Sequence, residues 1–412
     1  MQYFSGFDYL CIDAANNYGK DKLLFEERIQ WTKDNMDVLE LKVQEADTPA
    51  LYLKAVQAIR KAQQGIPTGH LVSMDAVCSG VQLMSVLTGC KVGAEATGLV
   101  DPNKRADAYS ECTKNMQMVL GSSFHVERAD AKDALMKSMY GSTAVPKRIF
   151  GEDTPELHAF YKAAEMTAPG AWTLLQELLA AWQSYALVHE WQLPDGFEVK
   201  VKVMEVKEIR VEVDELDHAS FTYAFEQNVG SKKGLSLAAN TIHSADAYVA
   251  RCMHRRLNYD PQVLAYASDL LEAEVLERAI GNPMEPYTAE GMFNYYVQLF
   301  DQSQMADCVI FPYLEPGNVR MLSDDHLKKL NHIAGLMGTY KPFELVTVHD
   351  DFKCHPNNVN HMRFMYKEIL AELAESELLG WMFRSILKCD GTYKKLSNNL
   401  GDFIRASNYG LT

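Results

Sequence analysis

Two apolar runs in this chain each stop abruptly at an aspartate. The run Phe343 to Val348, rich in β-branched residues, is followed closely by Asp350, and the run that starts at Leu71 ends at Asp75. Short apolar runs of this kind are typical of buried strands. We therefore expect two strands that bring their aspartates to one sheet edge. For either aspartate alone, the alternative is that it merely ends a strand or caps a following helix.

Helical patterns occupy much of the remaining chain. Residues 128–140 are good helix formers followed by Gly141, a common helix stop. Further helices are predicted at 104–119, 154–165, 170–190, 263–280 and 327–336. Alternating apolar and polar positions predict strands at 198–203 and 210–213, with a returning strand at 218–225.

The helix at 128–140 carries candidate substrate contacts. Arg128, Lys132 and Tyr140 are four and then eight residues apart, so they share one broad helical face. Such a face can present a guanidinium and an ammonium to a triphosphate, with an aromatic ring beside the base or sugar. The alternative is a solvated basic face that pairs with Asp130 and Asp133.

Paired aspartates favour a divalent metal. Asp75 and Asp350 on neighbouring strands would suit two Mg²⁺ ions about 3.5–4 Å apart, the arrangement used in phosphoryl transfer. Mg²⁺ prefers a few carboxylates plus phosphate oxygens to a full protein cage. A metal-dependent phosphohydrolase using His349 and Asp350 is a rival interpretation, but it would need further histidine ligands on helices.

Taken in order, these segments resemble motifs A, B and C of the single-subunit RNA polymerases of T-odd phages and mitochondria. The resemblance is carried by Asp75, Cys78-Ser79-Gly80 and Gln82, by Arg128, Lys132 and Tyr140-Gly141, and by His349-Asp350-Asp351-Phe352. Well-known members have serine where this chain has Asp351, which leaves open whether Asp351 also binds metal. Some relatives have a phosphate-binding lysine after a Glu-Arg-Ile element, where this chain has Gln30.

The resemblance implies an α+β fold of the right-hand nucleotidyltransferase type, mainly helical with an antiparallel palm sheet. It also implies a DNA-directed RNA polymerase that uses Mg²⁺, NTPs and a DNA template and releases an RNA product. The implied roles are catalysis and metal binding by Asp75, Asp350 and the backbone of Ala76, triphosphate binding by Arg128 and Lys132, and ribose recognition by Tyr140 and His243. Related A-family DNA polymerases usually carry a bulky glutamate at the position of Gly80, so the glycine favours RNA synthesis.

The family pattern divides the chain into three parts. Residues 1–103 form the first part of a palm, 104–242 form fingers, and 243–412 form the second part of the palm with a C-terminal foot. An insertion occupies about 257–338, where a structural brace or a protein-docking surface is expected. The strands after residue 198 either form a hairpin that reads promoter DNA or a ribbon packed on the fingers.

The N-terminal and thumb regions of the family pattern are absent, so a second subunit is expected to supply them. This makes the large catalytic subunit of the heterodimeric RNA polymerase of N-four-like bacteriophages the nearest resemblance. An A-family-like DNA polymerase and a non-catalytic assembly subunit with a polymerase fold are the alternatives.

Composition adds limits on partners and compartment. The 412 residues are 47% hydrophobic, enough for a large core, and the eight cysteines show no C-x-x-C spacing. Neither a leader nor a membrane-spanning stretch is apparent, so a cytosolic protein is expected. The resemblance to phage polymerases implies the cytoplasm of an infected bacterial host. The formal net charge of −15 argues against broad contact with nucleic-acid phosphates. A single-stranded or already melted template, or a basic partner, is therefore expected.

Overall fold

Helices make up most of the chain in this computed structural model, which describes residues 1–121, 125–232, 234–286, 288 and 290–412. The α-helices are α1 (Gly6–Ala15), α2 (Phe25–Asp34), α3 (Pro49–Gln63), α4 (Ser79–Thr88), α5 (Lys91–Ala96), α6 (Ala108–Leu120), α7 (Arg128–Ser138), α8 (Ala144–Phe150), α9 (Pro155–Thr167), α10 (Pro169–Ala180), α11 (Ser236–Leu257), α12 (Pro261–Ala279), α13 (Gly291–Ser303), α14 (Asp324–Met337), α15 (Val359–Glu375), α16 (Leu378–Leu387) and α17 (Leu400–Ala406).

Seven short strands form three separate antiparallel sheets in the described part of the chain. They are β1 (Val72–Asp75), β2 (Val188–Gln192), β3 (Glu198–Lys202), β4 (Met204–Val213), β5 (Ala219–Asn228), β6 (Val346–Val348) and β7 (Asp351–Cys354). The first sheet has the order β1-β7-β6, while β2 pairs with β3 and β4 with β5. The prediction of a mainly helical chain with a small antiparallel sheet is confirmed; its division into palm and fingers stays a prediction.

A buried helix follows the first strand of the sheet that carries the aspartates. Every residue of α4 from Gly80 to Thr88 is buried, as expected for a helix enclosed by protein. Gln82 accepts a hydrogen bond from the Tyr366 hydroxyl at 2.5 Å and donates to the carbonyl oxygens of Thr97 and Gly410. This buried amide joins α4 to α15 and to the C-terminal segment, which satisfies polar groups that would otherwise be costly to bury.

Three predicted helices differ from the observed ones at their ends. The helix expected at 104–119 begins at Ala108, because the Asp107 side chain caps it by accepting from the Tyr109 N–H. The helix expected at 128–140 ends at Ser138, and Tyr140 lies in the turn before Gly141, whose φ is +91°. The helix expected at 170–190 ends at Ala180, since the residues from Val188 onward pair with β3 instead.

The β4–β5 ribbon contributes no residue to the buried core. No side chain in either strand is buried. The large apolar side chains of Ile209, Phe221 and Tyr223 are each exposed by half or slightly more. This exposure gives little sign of packing on other elements, and the choice between a promoter-reading hairpin and a ribbon on the fingers stays a prediction.

The insertion contains the two predicted helices, observed as α12 and α14, together with α13.

Among the described residues, no helix is long and apolar enough to cross a membrane. All eight cysteines are free.

Candidate active site

The sheet places three aspartates next to one another. Asp75 at the end of β1 pairs directly with Asp351 at the start of β7, so the two side chains share one face of the sheet. Asp350 lies in the turn between β6 and β7, and its carbonyl oxygen accepts the Ala76 N–H at 3.1 Å. The C-terminal residue Thr412 completes this edge by exchanging backbone hydrogen bonds with Asp75.

Crowding perturbs the first of these carboxylates. The Asp75 side chain is open to a cavity, yet the surrounding protein desolvates it. This desolvation, with the nearby charges of Asp350 and Asp351, raises the pKa of Asp75 to about 7. A cation bound between these oxygens would relieve the repulsion, and hard oxygen donors are what Mg²⁺ prefers.

Asp351 is engaged within the sheet. It accepts a hydrogen bond from the Ser73 hydroxyl at 2.5 Å and pairs with Lys353 at 3.0 Å. Both partners belong to the same face of the sheet. The second carboxylate of this motif is therefore held beside the site by a serine and a lysine.

A cavity of about 670 Å³ opens above the aspartates. Its walls include the predicted residues Asp75, Ala76, Gly80, Lys132, Tyr140 and Asp350. The structure thus brings most of the predicted set to one site. His243 reaches it through the Tyr140 ring, with ring centroids 4.7 Å apart and planes within 3° of parallel.

Gly80 is in close contact with Tyr140. A Cβ added at Gly80 would come within 2.6 Å of the Tyr140 hydroxyl oxygen. Burial raises the pKa of Tyr140 to about 12, so its hydroxyl is a neutral hydrogen-bond donor at physiological pH. Glycine is therefore needed here to leave room for the tyrosine ring.

Arg128 lies outside this cavity. It pairs with Asp107 at 2.7 Å and lines a neighbouring cavity of about 660 Å³. Arg128 and Lys132 flank the Tyr109 ring at 5.7 and 5.8 Å. In this structure the arginine is held by a carboxylate, and only the lysine faces the aspartates.

Two further basic residues line both cavities and were missed from the sequence. Lys22 precedes α2, and Arg105 lies just before α6. The buried Arg28 shapes the first loop by donating to the carbonyl oxygens of Asp21 and Leu23 at 2.8 and 2.9 Å. By contrast, Gln30 is exposed and bonds to Asp34, away from the cavity.

Asp246 on α11 is a fourth carboxylate near the site. Burial, followed by the charge of Asp350, raises the pKa of Asp246 to about 6. Its position in the sequence, three residues after His243, placed it on the same helix without indicating its proximity to Asp350. Loops and helices that meet only in three dimensions leave no such periodic signal.

One group of three possible metal ligands occurs among the described residues, and it lies elsewhere. Glu212, Asp214 and His218 cluster at the exposed tip of the ribbon. Exposed acidic groups of this kind are common without an ion. Within the described ranges, Asp350 belongs to no such group of three, with or without a histidine.

Comparison with known proteins points to one class of enzyme. Residues 4–150 match the family model for DNA-dependent RNA polymerase, a stretch that includes β1 and α7 but neither α11 nor the β6–β7 turn. That part of the chain is therefore similar to the DNA-dependent RNA polymerases.

Individual relatives carry the same description. The chain is 31% identical over 160 residues to a probable DNA-directed RNA polymerase of Neurospora crassa, covering 34% of this chain and 18% of the relative. It is 26% identical over 209 residues to the mitochondrial DNA-directed RNA polymerase 1 of Arabidopsis thaliana, covering 40% and 21%. It is 28% identical over 122 residues to the DNA-directed RNA polymerase of Pseudomonas phage phiKMV, covering 26% and 15%.

These matches span about a fifth or less of each relative's length. They agree with the resemblance to phage and mitochondrial RNA polymerases. The nearer resemblance to two-subunit phage enzymes stays a prediction.

Proposed function

We propose that this chain is the catalytic subunit of a DNA-directed RNA polymerase. The observation that carries the proposal is the meeting of Asp75 and Asp350 at one cavity edge, with Lys132 and the stacked Tyr140 and His243 around it. Polymerase-like sequence in residues 4–150 supports it independently.

In the proposed reaction the 3′-hydroxyl oxygen of an RNA attacks the α-phosphorus of an NTP. A new phosphodiester bond forms while the hydroxyl proton is released to solvent and the bond to the β-phosphate oxygen breaks, so that pyrophosphate leaves. Asp75, Asp350 and the Ala76 carbonyl would hold Mg²⁺, which when bound stabilises charge on the attacking and leaving oxygens. Lys132 and Lys22 would bind the triphosphate, and Arg128 would join them after leaving Asp107.

Tyr140 and His243 would recognise the ribose. Because Gly80 carries no side chain, the Tyr140 hydroxyl can lie directly beside it, where it would form a hydrogen bond with a ribose 2′-hydroxyl. This arrangement favours RNA over DNA synthesis.

We also propose that the template is single-stranded or already melted and that a basic second chain assists binding. The net charge of −15 supports both statements, because broad binding of duplex phosphates needs an excess of cations that this chain lacks. The phage relative supports a phage-encoded protein that works in the cytoplasm of the infected host.

Extension of a primed single-stranded DNA template tests the proposal. With Mg²⁺, we expect the purified chain, alone or with a host lysate, to extend an RNA primer with NTPs and much less with dNTPs. A preference for dNTPs would identify a DNA polymerase instead. No extension under any condition would favour the non-catalytic assembly subunit.

A further inference from the structure

One buried carboxylate of the insertion forms several hydrogen bonds with side chains of α11. Asp307, between α13 and α14, is 5% exposed. Its oxygens accept hydrogen bonds from the Tyr248 hydroxyl at 3.0 Å, the Cys252 thiol at 3.3 Å, and Arg255 Nε and Nη2 at 3.0 and 2.5 Å. The Val309 N–H donates to it at 2.9 Å. A buried carboxylate with this many donors has a fixed position.

The charge of this contact is strongly stabilised. Burial alone would raise the pKa of Asp307, but the Arg255 guanidinium outweighs burial and holds the pKa at about 2. Asp307 is therefore ionised at any physiological pH, and the contact is a buried ion pair reinforced by neutral donors. Removing one partner of such a pair is costly, because the other charge stays buried.

The same helix is held at neighbouring positions. Asp195 pairs with Arg251 at 2.6 Å and with Arg255 at 3.1 Å, and Trp191 donates its indole N–H to the Ser244 hydroxyl at 3.0 Å. These contacts restrain α11 from Ser244 to Arg255.

His243 stands at the cavity end of this restrained segment. Tyr248 is about 7.5 Å from it along the helix axis at the usual rise per residue. Within the described residues, the His243 ring stacks on Tyr140 and forms no hydrogen bond of its own. Its position is thus set by the placement of α11.

We propose that Asp307 is a positioning residue for ribose selection: the insertion fixes α11 so that His243 stays stacked on Tyr140. The inference rests on the proposed function and concerns the same site. Small displacements of positioned groups have large effects on reaction rates, so a loosened α11 should reduce sugar discrimination before it abolishes synthesis.

Three variants test this. Asp307→Asn removes the charge, and Tyr248→Phe removes one donor without opening a large cavity. The matched control is Glu274→Gln, since Glu274 is an equally buried carboxylate of the insertion, 6% exposed, that pairs with Arg278 of the insertion itself at 2.7 Å. The readouts are the ratio of kcat/KM for NTPs to that for dNTPs, the Tm, and hydrogen exchange of the amides of residues 241–248.

We expect Asp307→Asn to lower the discrimination ratio about tenfold and Tyr248→Phe to lower it about threefold, while Glu274→Gln leaves it unchanged. Decreases of this size are usual for mutations that act through a packed network. Exchange at 241–248 should accelerate in the first two variants only. Unchanged discrimination and exchange in both, with only the Tm lowered, would overturn the inference. If Asp307→Asn does not fold, Tyr248→Phe decides. A wild-type chain without RNA synthesis would overturn the proposed function, and the exchange data would still decide whether Asp307 positions α11.

Discussion

Asp75 lies opposite Asp351 and close to Asp350, so burial and the charges of these two neighbours make ionisation of Asp75 harder. Lys22 and the Ala76 N–H act in the opposite direction but are outweighed. A divalent cation would replace the proton on Asp75. Metal binding at this site should therefore release protons, as it does wherever ligands must be ionised.

This coupling predicts pH-dependent Mg²⁺ binding. Because the pKa of Asp75 is raised to about 7, the proton competes with Mg²⁺ below that pH. The Kd for Mg²⁺ should fall as pH rises from 6 to 7 by up to about tenfold, the limit for one released proton, and should level off above about pH 7.5. Isothermal titration with Mg²⁺ between pH 6 and 8 measures this, and Asp351→Asn should shift the curve to lower pH. A Kd independent of pH would show that Asp75 is not a ligand.

Gly80→Ala tests the space beside Tyr140. The new methyl group would lie 2.6 Å from the tyrosine oxygen, so the ring must move and its stack on His243 must change. We expect kcat/KM for NTPs to fall by roughly 10- to 100-fold, the usual cost of misplacing a positioned group by about 1 Å. Gly335→Ala is the control, because an added Cβ there has nothing within 4 Å. Equal kinetics in both variants would exclude a role for this contact.

At the scale of elements, the sequence predicts those helices and strands whose positions are determined by local residue patterns. The start of α7 at Arg128 follows from helix propensity, and the meeting of Asp75 with Asp350 follows from two apolar runs that end in carboxylates. The end of the helix expected at 170–190 was missed because β2 is stabilised by pairing with β3, a contact that propensity alone does not contain. Lys22 and Arg105 were missed because neither lies within a periodic element.

The ribbon is an element whose removal should be tolerated. Residues 204–228 carry seven acidic and two basic residues, a formal charge of −5, and none of their side chains is buried. Met204 and Asn228 pair directly across the strands, so a short Gly-Ser linker can replace the ribbon beyond them. We expect the Tm to change little and the rate of primer extension to change by less than about twofold, as for other exposed segments. Loss of primer extension with an unchanged Tm would place the ribbon in the catalytic site.

At the scale of the whole molecule, charge limits how the chain binds nucleic acid. The net charge is −15, while Lys22, Arg105 and Lys132 line the cavity that holds the aspartates. Attraction for phosphates is therefore local.

This distribution predicts a weak salt dependence. With two to four phosphate contacts, log K for a single-stranded DNA should fall with log salt with a slope of about −1.4 to −2.8. Fluorescence anisotropy of labelled single-stranded and duplex oligonucleotides between 50 and 200 mM salt measures it. A steeper slope, beyond about −6, or tighter binding to duplex DNA, would contradict a local binding surface.

The most direct test of the central claim is the single-turnover rate of adding one ribonucleotide to a primed single-stranded template. The wild type should react in a Mg²⁺-dependent manner, and Asp75→Asn and Asp350→Asn should each slow the reaction by about 10³-fold or more, since bound metal supplies several kcal/mol of transition-state stabilisation. Asp269→Asn, an exposed position on α12, is the control. Rates in the two aspartate variants within tenfold of the wild type would contradict the account.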